Sequence, residues 1–133
     1  MTMAAYSSAQ RYQQTQVTTA DRGRLLILMF DGGLKFLAQA RIGLDVGDVE
    51  RFAHNLSRAQ AIIAELLHTL DHRAGGKIAA DLERLYQFML EHLLEANRRK
   101  SVRHVEQVAH LLDIIAGAFR EILQHGVPVV DAA

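Results

Sequence analysis

LLILMF followed by DGG, residues 25–33, sets six apolar side chains in a row ahead of an acid and two glycines. A run of six suits either a buried strand or one part of a helix. The sequence beyond it decides, because the apolar pattern continues through Leu34, Phe36, Leu37, Ala38, Ala40 and Ile42, past the length of an ordinary strand. The spacing therefore predicts a first long helix over about residues 21–44, with Thr19 or Asp21 able to cap it. Each helical residue turns by about 100°, so six in a row pass a full circle. This helix thus carries apolar side chains on every side, more than the single buried face of a small bundle helix requires. Gly32 and Gly33 each weaken it by about 1 kcal/mol relative to Ala, a cost that close approach of a neighbouring helix would offset.

Working outward, Gly43 and Gly47 mark the exit of that helix and Asp48 caps a second, over about 49–72. Val49, Phe52, Leu56, Ala59, Ile63, Leu66 and Leu70 recur there at spacings of three and four. Gly75-Gly76 breaks it. A third helix spans about 77–99, with Ile78, Leu82, Leu85, Met89, Leu93 and Ala96 facing inward. Ser101 caps a fourth, which ends before Gly126 and Pro128. Its Val105, Val108, Leu112, Ile115, Phe119 and Ile122 form a seam of period about 3.5. Leu111, Ile114 and Ala118 add a second stripe, so the first and fourth helices both carry surplus apolar surface. With connections of a few residues, neighbours run antiparallel, and the expected fold is all-α: an up-down four-helix bundle. Residues 1–19, rich in Gln, Ser and Thr and bearing Tyr6 and Tyr12, are expected to form a mobile or short-helical N-terminal arm. Residues 20–126 are then the bundle and 127–133 a disordered tail.

The chain has 133 residues, which suits one domain. Half of it is hydrophobic but only 6% aromatic, so Leu, Ala, Ile and Val carry the core. Fifteen basic residues balance fifteen acidic ones. That balance removes the electrostatic footprint of a nucleic-acid binder or of adhesion to an acidic membrane. Without cysteine there is no disulfide framework and no thiolate site. No apolar stretch reaches the roughly 18 residues of a membrane span, and residues 1–19 do not read as a signal peptide. A cytoplasmic protein is expected.

Chemistry-bearing constellations are sparse. Di-iron bundles repeat Glu-x-x-His on two helices, whereas this chain has one such spacing, Glu65 to His68, with His68 and His72 reading as an i, i+4 pair at a helix end. The segment Ala53-His54-Asn55-Leu56-Ser57-Arg58 begins like a histidine phosphotransfer site, but Arg58 stands where a small residue admits the partner aspartate. Arg98-Arg99-Lys100 complements a helix C-terminus. Glu106 with His110 and Glu121 with His125 read as exposed i, i+4 pairs. No catalytic residue, metal site or cofactor is expected. The surplus apolar surface points instead to a groove for an amphipathic partner helix, to self-association, or to a core wider than the seams imply.

The ordered set Tyr12-x-x-x-Gln16-Val17-x-Thr19-Ala20, Leu25-x-x-x-Met29-Phe30-Asp31-Gly32, Gly47-Asp48, Leu85-Tyr86-x-x-Met89 and Ala96-Asn97 resembles the FliS family of flagellin-specific export chaperones. The resemblance extends over about residues 6–123, through Ala61-Ile62-Ile63, Gly75-Gly76-x-Ile78-Ala79 and Val105-x-x-Val108-x-x-Leu111-Leu112. Three positions depart from the family pattern: Asp21 replaces a proline, Phe119 a tryptophan, and Arg98-Arg99-Lys100-Ser101 a polar turn with Asp.

The resemblance implies an antiparallel helical bundle that binds the disordered C-terminal segment of flagellin in the cytosol. Such a chaperone prevents premature polymerisation and hands the complex to the gate of the flagellar type III export apparatus, and its N-terminal stretch covers part of the groove when free. On that basis partner-binding residues are expected at Tyr6, Tyr12 and Val17 in the arm, and at Leu25, Met29, Tyr86, Met89 and Asn97 around the groove. A plainer reading makes Leu25, Met29 and Met89 ordinary core, Tyr86 a core-edge residue with its hydroxyl in water, and Asn97 a helix end. Two other function classes stay open on the residues alone: a phosphotransfer module acting through His54, and a structural bundle that homodimerises.

Overall fold

A computed structural model describes the backbone of residues 18–126 and the side chains of 21–126. Four helices follow one another: α1 Thr18–Asp45, α2 Val49–His68, α3 His72–Arg99 and α4 Val102–His125. No strand occurs among the described residues. Each helix packs on its chain neighbours, and α1 with α4 closes the ring. The α1–α2 contact is the most extensive and the α3–α4 contact the least.

Side-chain pairs establish the antiparallel sense. Arg51 Nη2 donates to Gln39 Oε1 at 2.5 Å near one end of α1, and Ile62 lies beside Gly32 and Gly33 further along. Against α4, Arg41 meets Glu106, Gly33 meets Leu112, and Asp31 meets Arg120. The four-helix up-down bundle read from the sequence is what forms.

The helix starts follow local chemistry. Asp48 accepts from Arg51 N–H at 3.0 Å, and Ser101 from His104 N–H at 3.2 Å, so these two expected caps are made, whereas α1 begins at Thr18 and takes the expected caps Thr19 and Asp21 inside the helix. Asp71 departs from expectation. Its carboxylate accepts from Arg73 and Ala74 N–H at 3.0 and 3.1 Å, opening a new turn. As a result α2 ends at His68 rather than near residue 72, where the Thr69 hydroxyl donates to Leu66 O at 2.6 Å. His68 and His72 thus stand on different helices, and His72 Nε2 lies 3.5 Å from Glu83. The break expected at Gly75-Gly76 becomes a kink inside α3: Gly76 adopts φ 51°, ψ −124°, a conformation that essentially only glycine tolerates.

One apolar cluster fills the centre. Phe30, Leu37 and Ala40 of α1 join Phe52, Leu56, Ile63 and Leu66 of α2, Tyr86, Met89 and Leu93 of α3, and Val105, Val108 and Leu112 of α4. Each large apolar side chain fully buried there contributes about 1.5–3 kcal/mol. Apart from the Tyr86 phenol, no charged or polar side chain is buried among the described residues, so the interior carries little desolvation cost. Gly33 is buried beneath Leu112 and Ile62, giving the close approach expected of that glycine pair. Gly43 is tighter still: a Cβ there would lie 2.6 Å from the backbone nitrogen of Phe52.

Three expectations about the inward face need correction. Ile78 is 69% exposed, and Val49 and Ile122 also face solvent. On α3 the buried face runs Ala79, Tyr86, Met89, Leu93 and Ala96.

Candidate functional site

The opening run turns its side chains all round, as the helix geometry requires. Phe30 is fully buried; Leu26, Ile27 and Met29 are half-buried; Leu25 and Leu28 are 57% and 66% exposed. The surplus apolar surface of α1 is therefore on the outside of the bundle. At its N-terminal end it forms a depression of about 420 Å³. Leu25, Leu26 and Met29 make the apolar part, while Arg22, Thr69 and Asp71 supply a polar rim. Two of the expected groove residues, Leu25 and Met29, are thus brought together. They come within reach of the α2–α3 connection because Asp71 ends α2 early and turns the chain there.

A second groove, about 430 Å³, runs between the C-terminal half of α1 and the start of α4. Leu34, Leu37, Ile42, Val105 and Ala109 line it. Arg41 sits at its edge, 3.7 Å from Asp45 and 3.6 Å from Glu106, so Glu106 pairs across the helices rather than with His110. All three side chains are about half exposed, and such pairs contribute at most about 1 kcal/mol. A third depression, about 400 Å³, lies between α2 and α3. Ser57, Ala61 and Ala64 keep α2 flat there, opposite Leu90 and Leu94.

The other expected residues fall elsewhere. Tyr86 and Met89 lie inside the bundle, 2% and 0% exposed, so neither meets a partner unless the core opens. Burial pushes the Tyr86 phenol up to about 12. Asn97 is exposed near the end of α3, where its backbone and side-chain oxygens accept from Lys100 Nζ at 2.8 and 3.2 Å. Tyr6, Tyr12 and Val17 lie outside the described residues. His54 is exposed on α2, and Arg58 one turn on reaches over the Phe36 ring. Sequence reasoning passed over Leu28, Phe88 and Leu94, which are large, apolar and exposed. Leu90 and Leu94 carry a usable signal: they stand four apart, off the Met89–Leu93–Ala96 seam.

Chemically these surfaces are apolar floors with polar rims. Among the described residues no group of three or more His, Asp or Glu side chains gathers as metal ligands, and no helix is long and apolar enough to cross a membrane. The arrangement suits the apolar face of another polypeptide.

A family model described as the flagellar protein FliS matches residues 4–126. The flagellar secretion chaperone FliS of Salmonella typhimurium is 38% identical over 115 residues, covering 86% of this chain and 85% of its own length. The flagellar secretion chaperone FliSB of Pseudomonas aeruginosa is 35% identical over 114 residues, covering 83% and 90%. The corresponding Bacillus subtilis chaperone is 30% identical over 122 residues, covering 92% and 90%.

Proposed function

This chain belongs to the FliS family of flagellar proteins, and from that premise we propose that it is a flagellar export chaperone whose cargo is the C-terminal segment of flagellin. In this reading it binds the segment before export, keeps flagellin from polymerising prematurely, and delivers it to a gate component of the flagellar type III export apparatus. The relatives are named as chaperones rather than enzymes, and the function is non-catalytic. The observation that carries the reading is the apolar depression where Leu25, Leu26 and Met29 lie beside the α2–α3 connection. An amphipathic segment that folds as it binds would bury its apolar side chains there, at an ordering cost of about 2–5 kcal/mol. The residues proposed to meet it are Leu25 and Met29 on α1, with Tyr6, Tyr12 and Val17 as the segment of this chain that competes for the same surface.

Sedimentation velocity of the chain with and without a peptide of the flagellin C-terminus tests this. A one-to-one complex at micromolar concentration is expected. Absence of binding at that concentration would refute the cargo assignment, and sedimentation of the chain alone reports whether it forms a homodimer.

A further inference from the structure

Where α3 turns into α4, three rings are stacked. Phe88 and His92 stand one helical turn apart with ring centroids 5.0 Å apart, and His92 stacks in turn on His104 of α4 at 4.3 Å and 27°. Hydrogen bonds fix both imidazoles. His92 Nε2 lies 2.6 Å from Gln107 Oε1 and donates to that oxygen. His104 Nδ1 lies 2.7 Å from the Ser101 hydroxyl, whose oxygen also accepts from His104 N–H. That hydroxyl has its own proton left to donate to Nδ1, an arrangement that suits a neutral His104. Stacked rings point their in-plane lone pairs side by side rather than at a common centre, so the pair is poorly built to chelate a metal.

The surroundings disfavour added positive charge. Arg99 and Glu95 of α3 and Arg103 of α4 act on His104, and the Glu95 carboxylate is already held by Arg98 through bonds of 3.0 and 2.8 Å. Lys100, on the connection, is turned onto Asn97. Desolvation, then His92 and Arg99, hold the His104 imidazole below its ordinary value near 6.5, with Arg103 adding to this and Glu95 opposing it.

We propose that the His92–His104 stack is an acid-sensitive clasp between α3 and α4, closed while the His104 imidazole is neutral and loosened when it takes up a proton. It joins the two helices whose mutual contact is the least extensive of the four neighbouring pairs. Leu85 and Phe88 continue the α3 side of the clasp, and Leu111, Ile114 and Ala118 continue the α4 side beyond Gln107, at steps of three and four. Phe88 and Ile114 are 48% and 56% exposed, so loosening the clasp opens a flank that is already apolar.

The sign follows from the neutral preference of His104. Its contribution to stability is complete above the ordinary value near 6.5 and is lost as the pH falls through the depressed value of the folded protein.

The test is an NMR titration of the imidazole protons of the full chain from pH 8 to 5, with denaturant unfolding at both ends, for the intact protein, H92Q, H104Q and H92F. The last variant keeps a ring in the stack without its charge. The expected result is a His104 midpoint below 6.5 in the intact chain that rises in H92F. All three variants should also lose less of their folding equilibrium constant on acidification than the intact chain does. A His104 midpoint at or above 6.5 in the intact chain would overturn the clasp, and so would an unchanged midpoint in H92F. The same holds if the variants and the intact chain show one common pH profile. If H92Q or H104Q does not fold, the intact chain and H92F decide.

Discussion

Phe30 of α1 and Phe119 of α4 hold their ring centroids 5.3 Å apart with the planes tilted by 35°. Phe30 is the last residue of the six-residue apolar run and the member of it that is fully buried. A tilted aromatic pair contributes about 0.5–1.5 kcal/mol beyond the area it buries. Phe30→Ala should therefore lower the unfolding free energy by about 3–5 kcal/mol, as measured by urea denaturation. A loss under about 0.5 kcal/mol, the scale of surface substitutions, would mean that the α1–α4 seam is not packed through this ring.

The division of the expected groove residues between surface and interior is open to mutation. Leu25→Asp should weaken binding of the flagellin C-terminal peptide about tenfold, or about 1.4 kcal/mol, with stability held within about 0.5 kcal/mol. Met89→Ala should instead cost about 2–5 kcal/mol of stability. Calorimetric binding and denaturant midpoints for both variants separate the roles. A Met89→Ala protein that kept full stability yet lost affinity would contradict its place in the core.

Tyr6, Tyr12 and Val17 are proposed to compete with cargo for the outside of α1. Removal of residues 1–17 should change peptide affinity while the thermal unfolding midpoint moves little, because the described core runs from Leu26 onward. Equal affinities for the truncated and full chains would end the competition model.

Two glycines should respond in opposite directions. Gly117 lies within α4 with open space where a Cβ would stand, so Gly117→Ala should stabilise by about 1 kcal/mol. At Gly43 the added carbon would meet the Phe52 nitrogen at 2.6 Å and the Asp48 oxygen at 2.9 Å, backbone atoms that cannot swing away. Gly43→Ala should cost about 1–3 kcal/mol. Thermal melts of the two variants should fall on opposite sides of the parent.

Lys100 ends α3 in the left-handed region at φ 52°, ψ 49°, where a side chain is strained by about 1–2 kcal/mol. Lys100→Gly removes that strain and also the bonds to Asn97, leaving an expected net gain of about 0.5 kcal/mol. Chemical denaturation checks the sign, and a destabilised variant would show that the lysine bonds outweigh the backbone strain.

Much of the bundle can be read locally. Asp48 and Ser101 are identifiable as caps because short side chains with an acceptor oxygen satisfy the free N–H groups of a helix start wherever they stand in a fold. The seams of α2 and α4 are legible because Phe52, Leu56, Ile63 and Leu66, and Val105, Val108 and Leu112, each admit one helical phase. On α3 the pattern is degenerate. Ile78–Leu82–Leu85–Met89 and Ala79–Leu82–Tyr86–Met89 both step by three and four and share two members, and the bulk of Ile78 favours the wrong one. The end of α2 misleads for a related reason: the apolar rhythm runs on to Leu70, but the Asp71 carboxylate bonds forward to Arg73 and Ala74.

For the surface, the sequence by itself determined that α1 carries more apolar surface than one seam can bury, since six consecutive helical residues point around the full circle. It could not say which of them face inward. Tertiary structure decided that, placing Phe30 against Phe119 and leaving Leu25 and Leu28 outside. It also turned Tyr86 into the core, although its place in the family motif suggested a groove and its hydroxyl the core's edge. The physical reason is common to these cases. Periodicity fixes how side chains are spaced around a helix, while the rotation of that helix about its own axis is set by the neighbours it packs against.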